Sequence, residues 1–177
     1  GFPLANLATF GGGSMGGTVA DNTAAASVAF AGGSITVNAD GSFAFTAPTL
    51  PGTHTFLYAL VNGVGTSSAT VTIEVQQSPV AVDDSINVAW AGGILFDLKG
   101  ANGGSADDLG FPAANVTSIG GGSLGGTVTD ITLPAFVSFA GGDLIVDANG
   151  VVAINHPMQL GIFTFNYRLT NPAGSDD

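Results

Sequence analysis

Ala69-Thr70-Val71-Thr72-Ile73-Glu74-Val75 alternates without a break: Ala, Val, Ile and Val fall on one side, Thr, Thr and Glu on the other. A period of two is the pitch of an extended strand with one dry face and one wet face. The same pitch runs upstream through Phe56, Tyr58 and Leu60, and through Phe43 and Phe45. It returns downstream in Val152 and Ile154 and in Phe165, Tyr167 and Leu169. Turn signals separate these stripes. Asp40-Gly41, Asn149-Gly150 and Asn62-Gly63 are strong hairpin pairs. Ala31-Gly32-Gly33 supplies another compact turn, because glycine tolerates positive φ. Residues 27–46 and 136–155 therefore read as three-stranded meanders, each followed by a proline-containing turn at Pro48–Gly52 or Pro157–Gly161. Further short strands are expected near Ile86–Val88 and Ile94–Leu98. No stretch shows the 3.6-residue period of a helix. Seven or more short strands with frequent turns predict an antiparallel β-sandwich, with a closed barrel as the alternative.

The chain carries an internal copy of itself. Residues 1–68 align with 110–177 without a gap, at an offset of 110 − 1 = 109, and about half the positions are identical. Gly11-Gly12-Gly13-Ser14-Met15-Gly16-Gly17-Thr18-Val19 returns as Gly120-Gly121-Gly122-Ser123-Leu124-Gly125-Gly126-Thr127-Val128. Such a repeat implies a duplicated folding unit of about 100 residues, large enough to bury a core without staples. The polar, proline-containing stretch Gln76–Asp84 marks the boundary, giving repeats at 1–78 and 79–177. Each is expected to be incomplete: the first lacks the opening strands read at 80–98, the second a closing strand like Ala69–Val75. Unpaired sheet edges would leave the fragment poorly stable or prone to strand exchange. The repeat is entered and left part-way, so a longer array is expected.

Composition narrows the class. Only Lys99 and Arg168 are basic, against 13 acids, for a net charge of −11. That balance opposes nucleic-acid binding and docking on anionic membranes. No apolar run approaches the roughly 20 residues of a membrane helix. Apolar residues make up 45% of the chain, too many for a disordered segment. There is no cysteine, so disulfides and thiolate metal sites are excluded. Few Lys and Arg also mean few sites for trypsin-like proteases, which suits an exposed extracellular stalk.

The internal copy acts as a control on chemistry. A reaction built into each repeat should place its groups twice. His54 aligns with Phe163, His156 with Ala47 and Arg168 with Ala59. Ser14 and Ser123 correspond, but no duplicated histidine stands ready to activate them. No catalytic residue is assigned, and the chain is not expected to be an enzyme. Asp21/Asp130 is the only duplicated acid. Asn38 and Asp40 against Asp147 and Asn149 exchange acid for amide, as turns allow and acid catalysis does not. The duplicated aromatics, and Trp90 with them, are expected in the core.

At Pro79-Val80-Ala81-Val82-Asp83-Asp84-Ser85 the chain resembles the opening of cadherin-like and Ig-like tandem repeats of large bacterial surface proteins and adhesins. The resemblance continues in order through Gly17-Thr18-Val19, Asn38-Ala39-Asp40-Gly41-Ser42-Phe43-Ala44-Phe45-Thr46, Phe56-Leu57-Tyr58 and Ala69–Val75. It implies an all-β fold of tandem Ig-like or cadherin-like antiparallel sandwiches. It implies a structural repeat of a long extracellular, cell-surface protein, acting as adhesin stalk or surface-fibre subunit. The partners would be neighbouring repeats or subunits of the same protein. A carbohydrate- or receptor-binding module is the alternative, with a surface glycan or receptor as partner. Members often carry a dense Asp-x-Asp-x-Asp-Gly loop; here the matching stretch, Ala101–Asp108, has lost most of its acids. Calcium is the candidate ion, since it prefers oxygen ligands and the chain offers Asp, Asn and backbone carbonyls. Its expected ligands are Asp83 and Asp84 with Asn102, Asp107 and Asp108. A solvated acidic turn is the other reading of the same residues.

Overall fold

The computed structural model describes residues 3–46 and 48–177. They divide into two compact units, 1–75 and 76–177. Both are all-β, and every strand pairing is antiparallel. Among the described residues no α-helix forms, and none is long and apolar enough to cross a membrane. Gln76-Gln77-Ser78 go with unit two because Gln77 pairs with Phe111, with N–H to O distances of 2.8 and 2.9 Å.

Unit one runs β1 (Asn6–Gly11), β2 (Asn22–Thr23), β3 (Ser27–Phe30), β4 (Gly33–Val37), β5 (Phe43–Thr46), β6 (Gly52–Val61) and β7 (Thr66–Val75). One sheet has the order β2-β1-β6-β7 and the other β3-β4-β5. A register shift between Leu7 and Thr9 lets Leu7 and Phe10, three residues apart, both point inward; with Phe56 from the same sheet and Phe30, Ile35 and Val37 from the other they form one core. Burying each large side chain contributes roughly 1.5–3 kcal/mol. The stripe that ends β7 behaves as its period demands. Val71, Ile73 and Val75 pack on this core, while Thr70, Thr72 and Glu74 are exposed.

Unit two runs β8 (Gly93–Asp97), β9 (Asn115–Gly120), β10 (Ile131–Thr132), β11 (Ala135–Phe139), β12 (Gly142–Val146), β13 (Val151–Asn155), β14 (Asn166–Asn171) and β15 (Gly174–Asp176). Its sheets are ordered β10-β9-β14-β15 and β11-β12-β13-β8. Val116, Ile119 and Leu169 meet Leu144, Val146 and Val152 between them.

The offset of 110 − 1 = 109 carries into three dimensions. It maps β1, β2 and β4 onto β9, β10 and β12 residue for residue. The one-turn 3-10 segment Gly13–Met15 maps onto Gly122–Leu124. The β3–β4 hairpin closes at Phe30↔Gly33, so Ala31 and Gly32 alone form its turn, at φ +51° and +76°. Ala140 and Gly141 repeat this at +53° and +76°. An alanine accepts that left-handed backbone at a cost of about 1 kcal/mol.

The units also differ. In unit one β6 and β7 pair over ten residues, from Gly52↔Val75 to Val61↔Thr66. In unit two β14 starts only at Asn166; β15, the counterpart of the first residues of β7, pairs with it in the same register, Thr170↔Ser175 for Val61↔Thr66. β8 lies beside β13, a neighbour that β5 does not have. The strand expected at Ile86–Val88 does not form. Its side chains still alternate half-buried and exposed, but no ladder partner lies beside it. Periodicity predicts an extended chain and cannot by itself supply a neighbour.

Candidate functional site

The Gly-Gly-Gly-Ser loops come first, because they carry the most closely duplicated sequence. In each, the serine hydroxyl accepts a backbone N–H from a segment 41 residues further on, in β6 in unit one and just before β14 in unit two. Ser14 Oγ takes Thr55 N at 2.9 Å, and Ser123 Oγ takes Thr164 N at 3.1 Å. A few residues on, an aspartate closes a clasp on a threonine. Asp21 accepts Thr18 N at 2.9 Å and Thr18 Oγ1 at 2.7 Å; Asp130 does the same to Thr127 at 2.8 and 2.7 Å. Those bonds, from the threonine hydroxyl first and then its N–H, hold both carboxyls below their ordinary range. The only duplicated acid and the duplicated serine thus both tie down their own loop.

The exchanged Asx residues make turns. Asp40 Oδ1 accepts Ser42 N and Oγ at 2.9 and 2.7 Å. Asp147 Oδ1 accepts Asn149 N and Val151 N at 2.8 and 2.9 Å. His54 Nε2 lies 2.9 Å from Leu50 O, and its ring stands edge-on to Phe30. Phe163 takes the same slot against Phe139. A shared aromatic-sized slot explains why histidine and phenylalanine exchange there.

The five oxygen-bearing residues read as calcium ligands all lie in unit two, each with its own surroundings. Asp107 is tied to the core. Its Oδ1 accepts Val82 N at 2.8 Å, and Tyr167 Oη lies 2.9 and 3.0 Å from its two oxygens. The buried Tyr167 hydroxyl is held far above its usual pKa by burial first, then by bonding to Asp107. Asp108 accepts Gly110 N at 2.9 Å and Gln77 Nε2 at 3.0 Å. Asn102 turns its Nδ2 to Asp97 O at 2.6 Å. Asp83 is exposed. Asp84 is half-buried, and its Oδ2, cut off from solvent, has no hydrogen-bond partner. Among the described residues no three acidic or imidazole groups converge.

Asp84 is the chemically unusual member. Burial pushes its carboxyl up to about 6, Asn102 hydrogen bonds offset part of this, and the charges of Asp107 and Asp83 add to it. The folded chain therefore holds this proton more tightly than the unfolded chain, whose Asp titrates near about 3.9. Stability contributed by the protonated group falls as pH rises from about 4 through about 6. The residue is only partly buried, so solvent screening reduces the effect to about 1 kcal/mol. Asp84→Asn should raise the Tm of unit two at pH 7.5 by about 4–8 °C. It should also remove that part of the slope between pH 4 and 6 in the difference against parent protein. Identical pH profiles for the two proteins would show that Asp84 is solvated like any surface acid.

Two grooves open beside these residues. One, of about 430 Å³, is lined by Asp84, Phe96, Leu98, Phe139, Phe163 and Phe165. The other, of about 400 Å³, is lined by Trp90, Pro157, Leu160 and Ile162 among others. Trp90 is 57% exposed, not in the core as its type suggests. It sits one residue before Ala91, whose φ of +52° turns the chain into β8. No protein-family model, curated protein or solved structure matches this chain.

Proposed function

We propose that the chain is a structural, non-enzymatic repeat of a long extracellular bacterial surface protein, an adhesin stalk or a surface-fibre subunit of Ig-like or cadherin-like sandwich type. One observation supports this most. What the two copies share is largely what builds a sheet-and-loop scaffold, and the serine and the acid they share are spent inside it. Ser14/Ser123 and Asp21/Asp130 bond their own loops. The histidines and the arginine are not shared at all. A surface coat of acids with two cations gives a soluble, mutually repelling exterior suited to tandem units in one chain. Neighbouring repeats or subunits of the same protein are its partners in this reading. Antibodies to residues 1–177 should label intact producing cells, and external protease should strip the label without lysis. Label found only after permeabilisation would refute a surface location.

The second reading, a carbohydrate- or receptor-binding module, draws on Trp90. An exposed indole beside an apolar groove is a stacking surface for a sugar ring. Glycan-array binding by the chain, lost in Trp90→Ala while the melt is unchanged, would favour it. An array without signal would leave the stalk reading alone.

A further inference from the structure

We propose that the outer face of the sheet β11-β12-β13-β8 is a docking surface for a basic amphipathic segment of another polypeptide. The register sets one apolar row across all four strands. Phe136 stands beside Ile145, Ile145 beside Ala153, and Ala153 beside Leu95. Their chain neighbours Ala135, Leu144, Val152 and Ile154 are buried in the core, so alternation turns the row outward. Phe136 is 67% exposed and Leu95 71%, while Ile145 and Ala153 are half-buried. The internal copy shows that the fold does not need this row. At the matching positions unit one has Ser27, Thr36 and Ala44, in the same register and on the same outer side. Nor is the row missing a cover that unit one has. There β7 runs its ten residues along β6 in the other sheet, and Ser27, Ala29 and Ala44 remain exposed.

Charge selects the occupant. Two positions along the strands from the row, roughly 7 Å to either side of it, stand Asp143 on β12 and Asp97 on β8. Asp147 follows β12 on the Asp97 side. Of the chain's two cations, Lys99 lies beyond Asp97 and Arg168 is paired with Asp177. All the acids of the chain except Asp21, Asp40 and Glu74 lie in unit two. A second copy would therefore bring acids to acids and has no basic rim to offer. An apolar row between acids fits an apolar stripe with Lys or Arg along both sides, as an amphipathic helix presents. Four strands about 4.8 Å apart make the row about 14 Å long, close to three helical turns of about 5.4 Å. Exposed apolar patches rimmed by polar groups mark interaction sites. Covering Phe136 and Leu95 supplies affinity, and the flanking acids select the sign of the partner and speed its approach.

The test titrates the whole chain, methyl-labelled for NMR, with a synthetic Leu/Lys amphipathic helix of about 14 residues, roughly 21 Å long. Binding should saturate, shift the methyls of Leu95, Ile145 and Ala153, leave those of Thr36 and Ala44 in place, and weaken as salt is added. Phe136→Ser combined with Ile145→Thr should weaken it at least about tenfold with the melt unchanged, because unit one folds with those residues at the matching positions. Leu95→Thr, at the other edge of the row, should weaken it in the same direction. A Glu/Leu peptide tests sign, and a Ser/Lys peptide of equal charge tests attraction alone; neither should shift the three methyls. A Leu/Lys peptide that fails to bind, or that binds the double variant as well as the parent, would overturn the proposal. Equal binding of either control peptide would overturn it as well. So would self-association of the free chain through the same methyls, which would give the face to a second copy.

Discussion

Gly122→Ala should cost unit two about 3 kcal/mol and lower its Tm by about 15 °C. Gly122 has φ +54°, and a Cβ there would lie 2.5 Å from Thr164 O, 2.6 Å from Thr164 Oγ1 and 2.8 Å from the carbonyl carbon. Left-handed backbone costs an alanine about 1–2 kcal/mol by itself. The rest comes from the clash, because Thr164 cannot retreat. Its carbonyl accepts Ser123 N at 2.7 Å, and its N–H donates to Ser123 Oγ at 3.1 Å. Moving it breaks the lash that fixes the loop. Gly13→Ala should do equal damage in unit one, where the same Cβ would meet Thr55 O at 2.5 Å and Thr55 Oγ1 at 2.6 Å. Gly41→Ala is the control. It has φ +87° with nothing within 4 Å, so only the backbone penalty of about 1 kcal/mol is expected. Amide exchange resolves the two units separately. Equal effects at Gly41 and Gly122 would show that close approach of Thr164 is not what selects glycine.

How far the fold could be read depended on the range of the interaction. Period-two stripes such as Ala69–Val75 and Phe56-Tyr58-Leu60 declare strands, because every residue reports its own face. Asp40-Gly41 and Asn149-Gly150 declare hairpins, because a tight turn is decided by its own residues. The Gly-Gly-Gly-Ser stretch was legible as a duplicated motif but not as a lash, since Thr55 and Thr164 lie 41 positions away from their serines. Ile86–Val88 has the pattern of a strand and no neighbour to make it one. Tyr167 meets Asp107 across 60 positions of sequence, and neither residue has any local signal that it will. Asn62 read only as a turn residue and Asn171 carried no reading, because nothing nearby in the sequence names the carbonyls they reach.

Those two asparagines give the sharpest comparison within one molecule. Asn171 is buried and fully engaged. Its Nδ2 donates to Gln77 O and Pro112 O, both at 2.8 Å, and its Oδ1 accepts Ala173 N at 2.9 Å and Gly174 N at 3.1 Å. It fastens the boundary stretch, the start of the second copy and the β14–β15 turn together. Asn171→Asp keeps the shape and the acceptor but replaces both donors with a charged oxygen facing two carbonyls. An unpaired buried charge and two lost bonds should cost about 3–4 kcal/mol at pH 7. The new carboxyl should respond by raising its pKa, since protonation restores one donor. The deficit against parent protein should therefore shrink as pH falls toward 4.5. Asn62 occupies the same place in unit one, with Val64 N and Gly65 N on its Oδ1, but it is less buried and among the described residues its Nδ2 reaches Pro3 O alone, at 3.3 Å. Asn62→Asp leaves water free to solvate the charge and should cost less than about 1 kcal/mol. Denaturant unfolding of both variants at pH 7 and 4.5 reads all four values. Equal losses at the two sites, or a loss at Asn171 that ignores pH, would mean that burial of the donor is not what distinguishes them.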